Sequence, residues 1–208
     1  MMQSDIKNWD GELIISRYIR QVDTWIFIAV HSSQLGPATG GTRLLHYASP
    51  RQALRDVLRL SKGMTYKFAY ADFPRGGAKA VLAVPKKLSV DGRHFLLLEY
   101  GKIVKNLNGL FYTGPDVGTS SEDMDMLSRI APDFIFSRSV REGGAGNSGV
   151  STARGVYSAM IAATRQLLPG IKASVFIEGL GSVGQELLNL LTPSGFKIVA
   201  TDIDRLKF

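Results

Sequence analysis

The chain has 208 residues, 45% of them hydrophobic and 21% charged, with a formal net charge of +7 and no cysteine. That length holds one large domain or one and a half ordinary ones, and the missing cysteine excludes a disulfide framework and any thiolate metal site. The basic residues are scattered (Arg17, Arg20, Arg43, Arg51, Arg55, Arg59) without a nucleic-acid motif, so no nucleic-acid partner is expected, and the modest positive field suits an anionic cofactor and a carboxylate substrate.

In chain order, residues 13–19 and 24–30 are rich in β-branched and aromatic side chains and read as two strands, with Gln21-Val22-Asp23 turning a hairpin between them. Residues 36–43 (GPATGGTR) read as a glycine-rich loop leading to another short strand. Ser49-Pro50 starts a helix, whose apolar residues Ala53, Leu54, Val57, Leu58 and Leu60 keep helical spacing until Gly63 closes or interrupts it. Residues 78–84 form a short apolar run and read as a buried strand. Residues 91–107 read as a second helix, and residues 111–113 as a strand feeding a loop at Asp116. Ser120 and the early acids Glu122 and Asp123 mark another helix start. The glycines of residues 143–149 mark the expected domain boundary, giving domains 1–142 and 143–208. A helix over 151–168, a strand over 173–178, a helix over 183–191 and a strand over 197–201 follow. No basic start with an apolar run marks a secretion signal, and no apolar stretch is long enough to span a bilayer. A cytoplasmic protein with no membrane partner is expected.

Two lysines stand in distinctive settings, Lys67 in GMTYK (63–67) and Lys79 in RGGAKA (75–80), and Asp116 follows in TGPDVG (113–118). A lysine is normally charged near pH 7, with a pKa of about 10.4; burial and a neighbouring cation both lower that value. Brought together, one of the pair would stay charged and bind a substrate carboxylate while the other took a proton. Gly40, Gly41, Gly76 and Gly77 would let backbone approach a small ligand. Taken singly, each lysine also reads as a surface charge; Lys79 resists that reading because it interrupts an apolar run. Asp116 alone reads as a turn residue. His31 and His46 are isolated and read as packing or surface residues, so no metal site is expected.

Residues 179–184 (GLGSVG) match the dinucleotide fingerprint G-x-G-x-x-G, with a strand before them and a helix after. Gly179 would allow the tight turn, Gly181 close approach to the pyrophosphate and Gly184 close helix–strand packing, with the phosphates at a helix N-terminus. Asp202 ends the next strand, near the offset of about 20 residues usual for the acid that binds ribose hydroxyls. Its charge would repel a 2′-phosphate, which favours NAD over NADP.

Several motifs in one order resemble the glutamate/leucine/phenylalanine/valine dehydrogenase family, most nearly its leucine, phenylalanine and tryptophan branch. The resemblance runs from about Leu35 to the end and is carried by LGPATGGTR (35–43), GMTYK (63–67), GGAK (76–79), LNG (107–109), DVGT (116–119), TARGV (152–156) and the fingerprint. It implies an α/β protein: an N-terminal α/β catalytic-oligomerisation domain, then a Rossmann-type nucleotide-binding domain, here incomplete. The reaction implied is NAD(P)-dependent oxidative deamination of an L-amino acid in a homo-oligomer. Lys67, with the backbone of Gly40 and Gly41, would bind the α-carboxylate. Lys79 would be the base that activates water against an iminium, and Asp116 would shuttle protons at the substrate nitrogen. Thr152 would touch the nicotinamide, and Gly179, Gly181, Ser182, Val183, Gly184 and Asp202 would hold NAD. At the position of Thr39, glutamate enzymes have a lysine and branched-chain enzymes a leucine. Threonine there implies an apolar or aromatic L-amino acid.

The sequence departs from the branch at Ala78, where glycine is usual, and at residues 147–151, which lack the usual prolines. Only about two strands follow the linker, where a doubly wound nucleotide domain has about six. A C-terminally truncated chain is therefore expected. A non-catalytic oligomerisation or binding module derived from such an enzyme is the alternative. A related two-domain dehydrogenase acting on a hydroxy acid is a further one, less suited to two lysines.

Overall fold

The computed structural model describes residues 2–171 and 173–207. The chain divides into two units, Met1–Gly146 and Asn147–Phe208, each with its own core.

The first unit opens with a short helix, α1 (Met2–Lys7), which the apolar periodicity did not reveal. Strands β1 (Leu13–Ile19) and β2 (Thr24–Ser32) follow, joined by a 3₁₀ turn whose exit, Asp23, adopts the left-handed conformation (φ +43°). Next come β3 (Ala38–His46), helix α2 (Pro50–Tyr70), β4 (Gly76–Val84), helix α3 (Val90–Asn106), β5 (Tyr112–Pro115) and helix α4 (Ser121–Ser128). The strands form one mixed sheet in the order β1-β2-β4-β3-β5. The β1–β2 and β2–β4 pairs are antiparallel; β3 runs parallel to both β4 and β5.

Period-2 alternation gives the sheet two buried faces. Ile26, Ile28, Ala78, Ala80 and Leu82 meet Leu96, Leu97, Tyr100 and Val104 of α3 and Met124 and Leu127 of α4. The opposite face presents Phe27, Ala29 and Val81 to Ala53, Leu54, Val57 and Leu58 of α2. β4 is buried along nearly its whole length, which explains its continuous apolar run. Lys79 shares the α2 side with Val81.

Two expectations are corrected. The stretch 36–43 is not a loop before a short strand: from Ala38 onward it is strand, with Gly40 and Gly41 inside it. Glycine weakens a strand interior unless another backbone comes close, and here one does, because a Cβ on Gly40 would sit 1.7 Å from the Ala78 carbonyl oxygen. Nor does Gly63 end α2, which continues to Tyr70. Nothing lies within 4 Å of where the Gly63 side chain would be; the cost of glycine in a helix, about 1 kcal/mol relative to alanine, is outweighed by the buried α2 face. Lys67 therefore lies in the last turn of a helix.

The second unit contains α5 (Gly149–Leu167), β6 (Ser174–Glu178), α6 (Ser182–Leu191) and β7 (Lys197–Thr201). β6 and β7 pair in parallel. Ile177, Leu187, Leu191 and Ala153 form its core. Among the described residues no helix is long and apolar enough to cross a membrane.

Candidate active site

Lys79 is only 4% exposed, in the middle of β4 and opposite Ala29 of β2. Its Nζ lies 3.1 Å from Oδ1 of Asp116, the residue that immediately follows β5. Strand β3 runs between β4 and β5 and makes room for this pair with a glycine. A Cβ on Gly41 would stand 3.0 Å from the Asp116 Cβ and 3.1 Å from Lys79 Nζ. Desolvation lowers the Lys79 pKa below the ordinary lysine value, the nearby Arg43 adds to that, and the Asp116 carboxylate only partly restores it. Burial would raise the Asp116 pKa, but Lys79 and Arg43 outweigh it and hold the carboxyl below its usual range.

The Asp116 loop is pinned to β3. Asp116 N–H donates to Thr119 Oγ1 (2.9 Å), which donates to the Thr42 carbonyl (2.7 Å). The Val117 carbonyl accepts from Leu44 N–H (2.9 Å), and the Gly118 carbonyl accepts from Arg93 (2.9 Å). Gly118 must be glycine: its φ is +82°, and a Cβ would lie 1.9 Å from the Leu44 carbonyl oxygen. Beneath β3, Thr42 Oγ1 hydrogen-bonds both Tyr100 OH (2.5 Å) and Thr113 Oγ1 (2.7 Å), tying β3, β5 and α3 together.

Sequence reasoning missed Arg43. Its Nε donates to Asp116 Oδ2 (2.8 Å) and its NH1 to Asp56 Oδ2 on α2 (2.8 Å). Asp56 also accepts from Tyr47 OH and from Arg59 (both 2.7 Å). Position alone could have flagged Arg43, two residues beyond Gly41 in the same motif.

Lys67 is exposed, and among the described residues no side-chain hydrogen bond or ion pair engages it. It lies two residues beyond Thr65, which packs over Gly77 so closely that a Cβ there would be 2.1 Å from Thr65 Oγ1. Gly77 faces the same side of β4 as Lys79. Thr65 is held in turn by His31 Nδ1 (2.9 Å), whose Nε2 contacts Asp10 (3.2 Å); this histidine packs and positions α2. Thr39 is buried on β3 opposite Gly77, and its hydroxyl donates to the Pro37 carbonyl (2.9 Å).

In the second unit the fingerprint forms a tight turn between β6 and α6. Gly179 has φ +94°. A Cβ on Gly184 would lie 2.0 Å from the Gly179 carbonyl oxygen, and Gly181 has open space where its side chain would be. Ser182 and Val183 open α6, and among the described residues no side chain caps its N-terminus. A Cβ on Gly149 would come within 2.5 Å of the Ser182 carbonyl oxygen, so the first turn of α5, with Thr152, abuts the start of α6. Asp202 follows β7 directly. Its carboxylate accepts from the backbone N–H of Leu180 (2.6 Å) and of Asp204 (2.8 Å), with Lys207 Nζ at 3.2 Å. The N–H donors of Asp204 and Leu180 hold its pKa below the usual carboxylate range. The open Gly181, the uncapped helix start and an acid beside the turn are features a dinucleotide requires.

Together these features define an α/β protein with a buried lysine–aspartate centre in one unit and a dinucleotide-type turn in the other. A profile described as "Glu/Leu/Phe/Val dehydrogenase, dimerisation domain" matches residues 19–131. The chain belongs to the Glu/Leu/Phe/Val dehydrogenase family. It is 43% identical over 180 residues to a valine dehydrogenase of Streptomyces coelicolor, covering 85% of this chain and 48% of that one. It is 42% identical over 181 residues to a phenylalanine dehydrogenase of Lysinibacillus sphaericus, covering 85% and 46%. The crystal structure of L-tryptophan dehydrogenase from Nostoc punctiforme superposes with a TM-score of 0.66 at 31% identity, covering 99% of this chain and 57% of that one. The chain thus spans about half the length of the relatives it matches.

Proposed function

We propose that this chain serves the NAD-dependent oxidative deamination of an apolar or aromatic L-amino acid to its 2-oxo acid and ammonium. The observation that carries the reading is the buried Lys79 Nζ, 3.1 Å from the Asp116 carboxylate, beside a glycine at which any side chain would crowd both groups. NAD, when bound, accepts the hydride. Asp116, ionised at neutral pH, takes a proton from the substrate ammonium. Lys79, whose burial favours the neutral amine, takes a proton from the water that adds to the iminium carbon. Lys67 meets the α-carboxylate, with the backbone of Gly40 and Gly41 closing around it. Gly179, Gly181, Ser182, Val183, Gly184 and Thr152 cradle the cofactor, and Asp202 takes the ribose hydroxyls.

Thr39 supports an apolar side chain. It carries no positive charge, and its hydroxyl is already committed to Pro37, so no group there would hold a second substrate carboxylate. The named activities of the valine, phenylalanine and tryptophan relatives point the same way. The match to a dimerisation domain supports homo-oligomerisation, and a cytoplasmic location fits such an enzyme.

The test is NADH formation with a panel of L-amino acids. Turnover with valine, leucine, phenylalanine or tryptophan and not with glutamate supports the reading; no NADH with any of them rejects it. Asp202→Ala is expected to weaken NAD binding and relax discrimination against NADP, and an unchanged preference would remove Asp202 from the cofactor site. One observation favours the second reading, a non-catalytic oligomerisation module. Phe176 and Val199, on the two strands of the second unit, remain 64% and 51% exposed, so that sheet has an uncovered face. An assembled chain by light scattering that gives no NADH would establish that reading.

A further inference from the structure

The lysine–aspartate pair has a third member. The two carboxylate oxygens of Asp116 are divided between two cations: Oδ1 toward Lys79 at 3.1 Å, and Oδ2 toward Arg43 Nε at 2.8 Å. Arg43 is itself held from behind, because its NH1 donates to Asp56 on α2 at 2.8 Å. Its guanidinium therefore spans from the loop after β5 to a helix on the α2 side of the sheet. A planar fork with donors in fixed directions holds two carboxylates in a set geometry; a lysine ammonium is a compact point charge on a flexible stem and fixes neither direction. Arg43 is mostly buried, with 18% of its side chain exposed, and Asp56 is similar at 16%. The interaction is therefore shielded from solvent more than a surface ion pair is.

We propose that Arg43 is a positioning residue, which holds one oxygen of Asp116 so that the other is presented to Lys79. This rests on the proposed role of Lys79 as the base. Four ionisable groups near Lys79 and Arg43 take part. Asp116 lies on both; Asp56 lies behind Arg43; and Tyr47 and Arg59 hold Asp56. Without Arg43 the carboxylate is free to rotate and close both oxygens on Lys79. The ammonium then gains a stronger counter-ion and loses a repelling cation, and both changes favour its protonated form. Arg43 thus keeps Asp116 available to the substrate nitrogen and keeps Lys79 ready to shed its proton.

The test follows the side chains directly by NMR on protein labelled with ¹³C in lysine and aspartate. Lys79→Met and Asp116→Asn identify the two signals. In Arg43→Gln the Asp116 midpoint is expected to rise by about one pH unit, and the Lys79 midpoint to rise as well. In Arg43→Lys the charge is kept but the fork is lost, so Asp116 is expected to move upward while Lys79 moves less. Circular dichroism shows which variants fold; where Arg43→Gln does not, Arg43→Lys carries the test. An Asp116 midpoint that stays at the wild-type value in the folded variant overturns the proposal. The outcome is separable from the deamination reading. Midpoints that move in a chain that never forms NADH uphold the positioning and remove the enzyme. Turnover whose pH profile ignores Arg43 removes the positioning and leaves the enzyme standing.

Discussion

At the scale of single residues, Lys79 combines chemistry with a stability cost. Its folded-state pKa lies below the ordinary lysine value, so folding opposes its protonated form. That cost is fully present below the folded midpoint and disappears as pH rises past the unfolded value of about 10.4. Lys79→Met is therefore expected to melt at a higher temperature than wild type at pH 7, with the gap closing as pH approaches that value. Asp116 keeps Arg43 as a partner in this variant, so no carboxylate is stranded. The same variant is expected to lose about 10²–10⁴-fold in turnover. A lower melting temperature at pH 7 would contradict the sign of the pKa shift. Asp116 has the opposite sense: its lowered pKa contributes stability above the unfolded value of about 3.9, and that stability is lost as pH falls through the folded midpoint. Gly41→Ala adds a methyl group 3.0–3.1 Å from both side chains. Because the methyl also meets the Pro115 carbonyl oxygen at 3.0 Å, the variant is expected to lower kcat/KM and to lower the melting temperature modestly, and unaltered kinetics would show that this space is not used. Lys79 could be suspected from sequence because it interrupts an apolar run. Arg43 could be flagged only by its place two residues beyond Gly41; its role could not be read, since its partners lie 13 and 73 residues away.

At the scale of elements, the caps were legible because they are local. Ser49 caps α2 and Pro50 takes its first position. Ser120 and Asp123 form a capping box at α4, and Asp123 also receives a second donor set from Arg93, one contact at 2.8 Å. Ser120→Ala is expected to cost about 1 kcal/mol in urea unfolding; because α4 follows the Asp116 loop, turnover should fall with it. A loss within the error of the measurement would mean that Arg93 alone holds the helix start. β3 was misread for an equally physical reason. Glycine carries no strand propensity, and the justification for Gly40 and Gly41 lies in the neighbouring strands β4 and β5, not in the motif itself. α2 outlasts Gly63 because packing over Ala53, Leu54, Val57 and Leu58 outweighs one poor helix former.

At the scale of the whole molecule, the two units are built differently. The first buries both faces of a five-stranded sheet, while the second relies on a smaller cluster in which Leu191 is fully buried. Leu191→Ala is expected to cost about 2–5 kcal/mol, seen as faster hydrogen exchange within residues 147–208 and unchanged protection around Lys79 and Asp116. Equal acceleration in both units would show a single cooperative structure. The α/β class and the order of motifs were legible in the sequence, since strand, turn and helix recur with their usual punctuation. The mixed strand order was not, because nothing local to β2 states that its second neighbour is β4.

The alternation along β4 has one more effect. Ala78, Ala80 and Leu82 turn to one helical layer and Lys79 to the other. A slip of one residue in pairing would drive an ammonium group in among Leu96, Leu97 and Tyr100, away from water and from its Asp116 partner. The proposed base thereby disfavours a mispaired central strand, because such a chain carries a buried charge removed from its carboxylate partner.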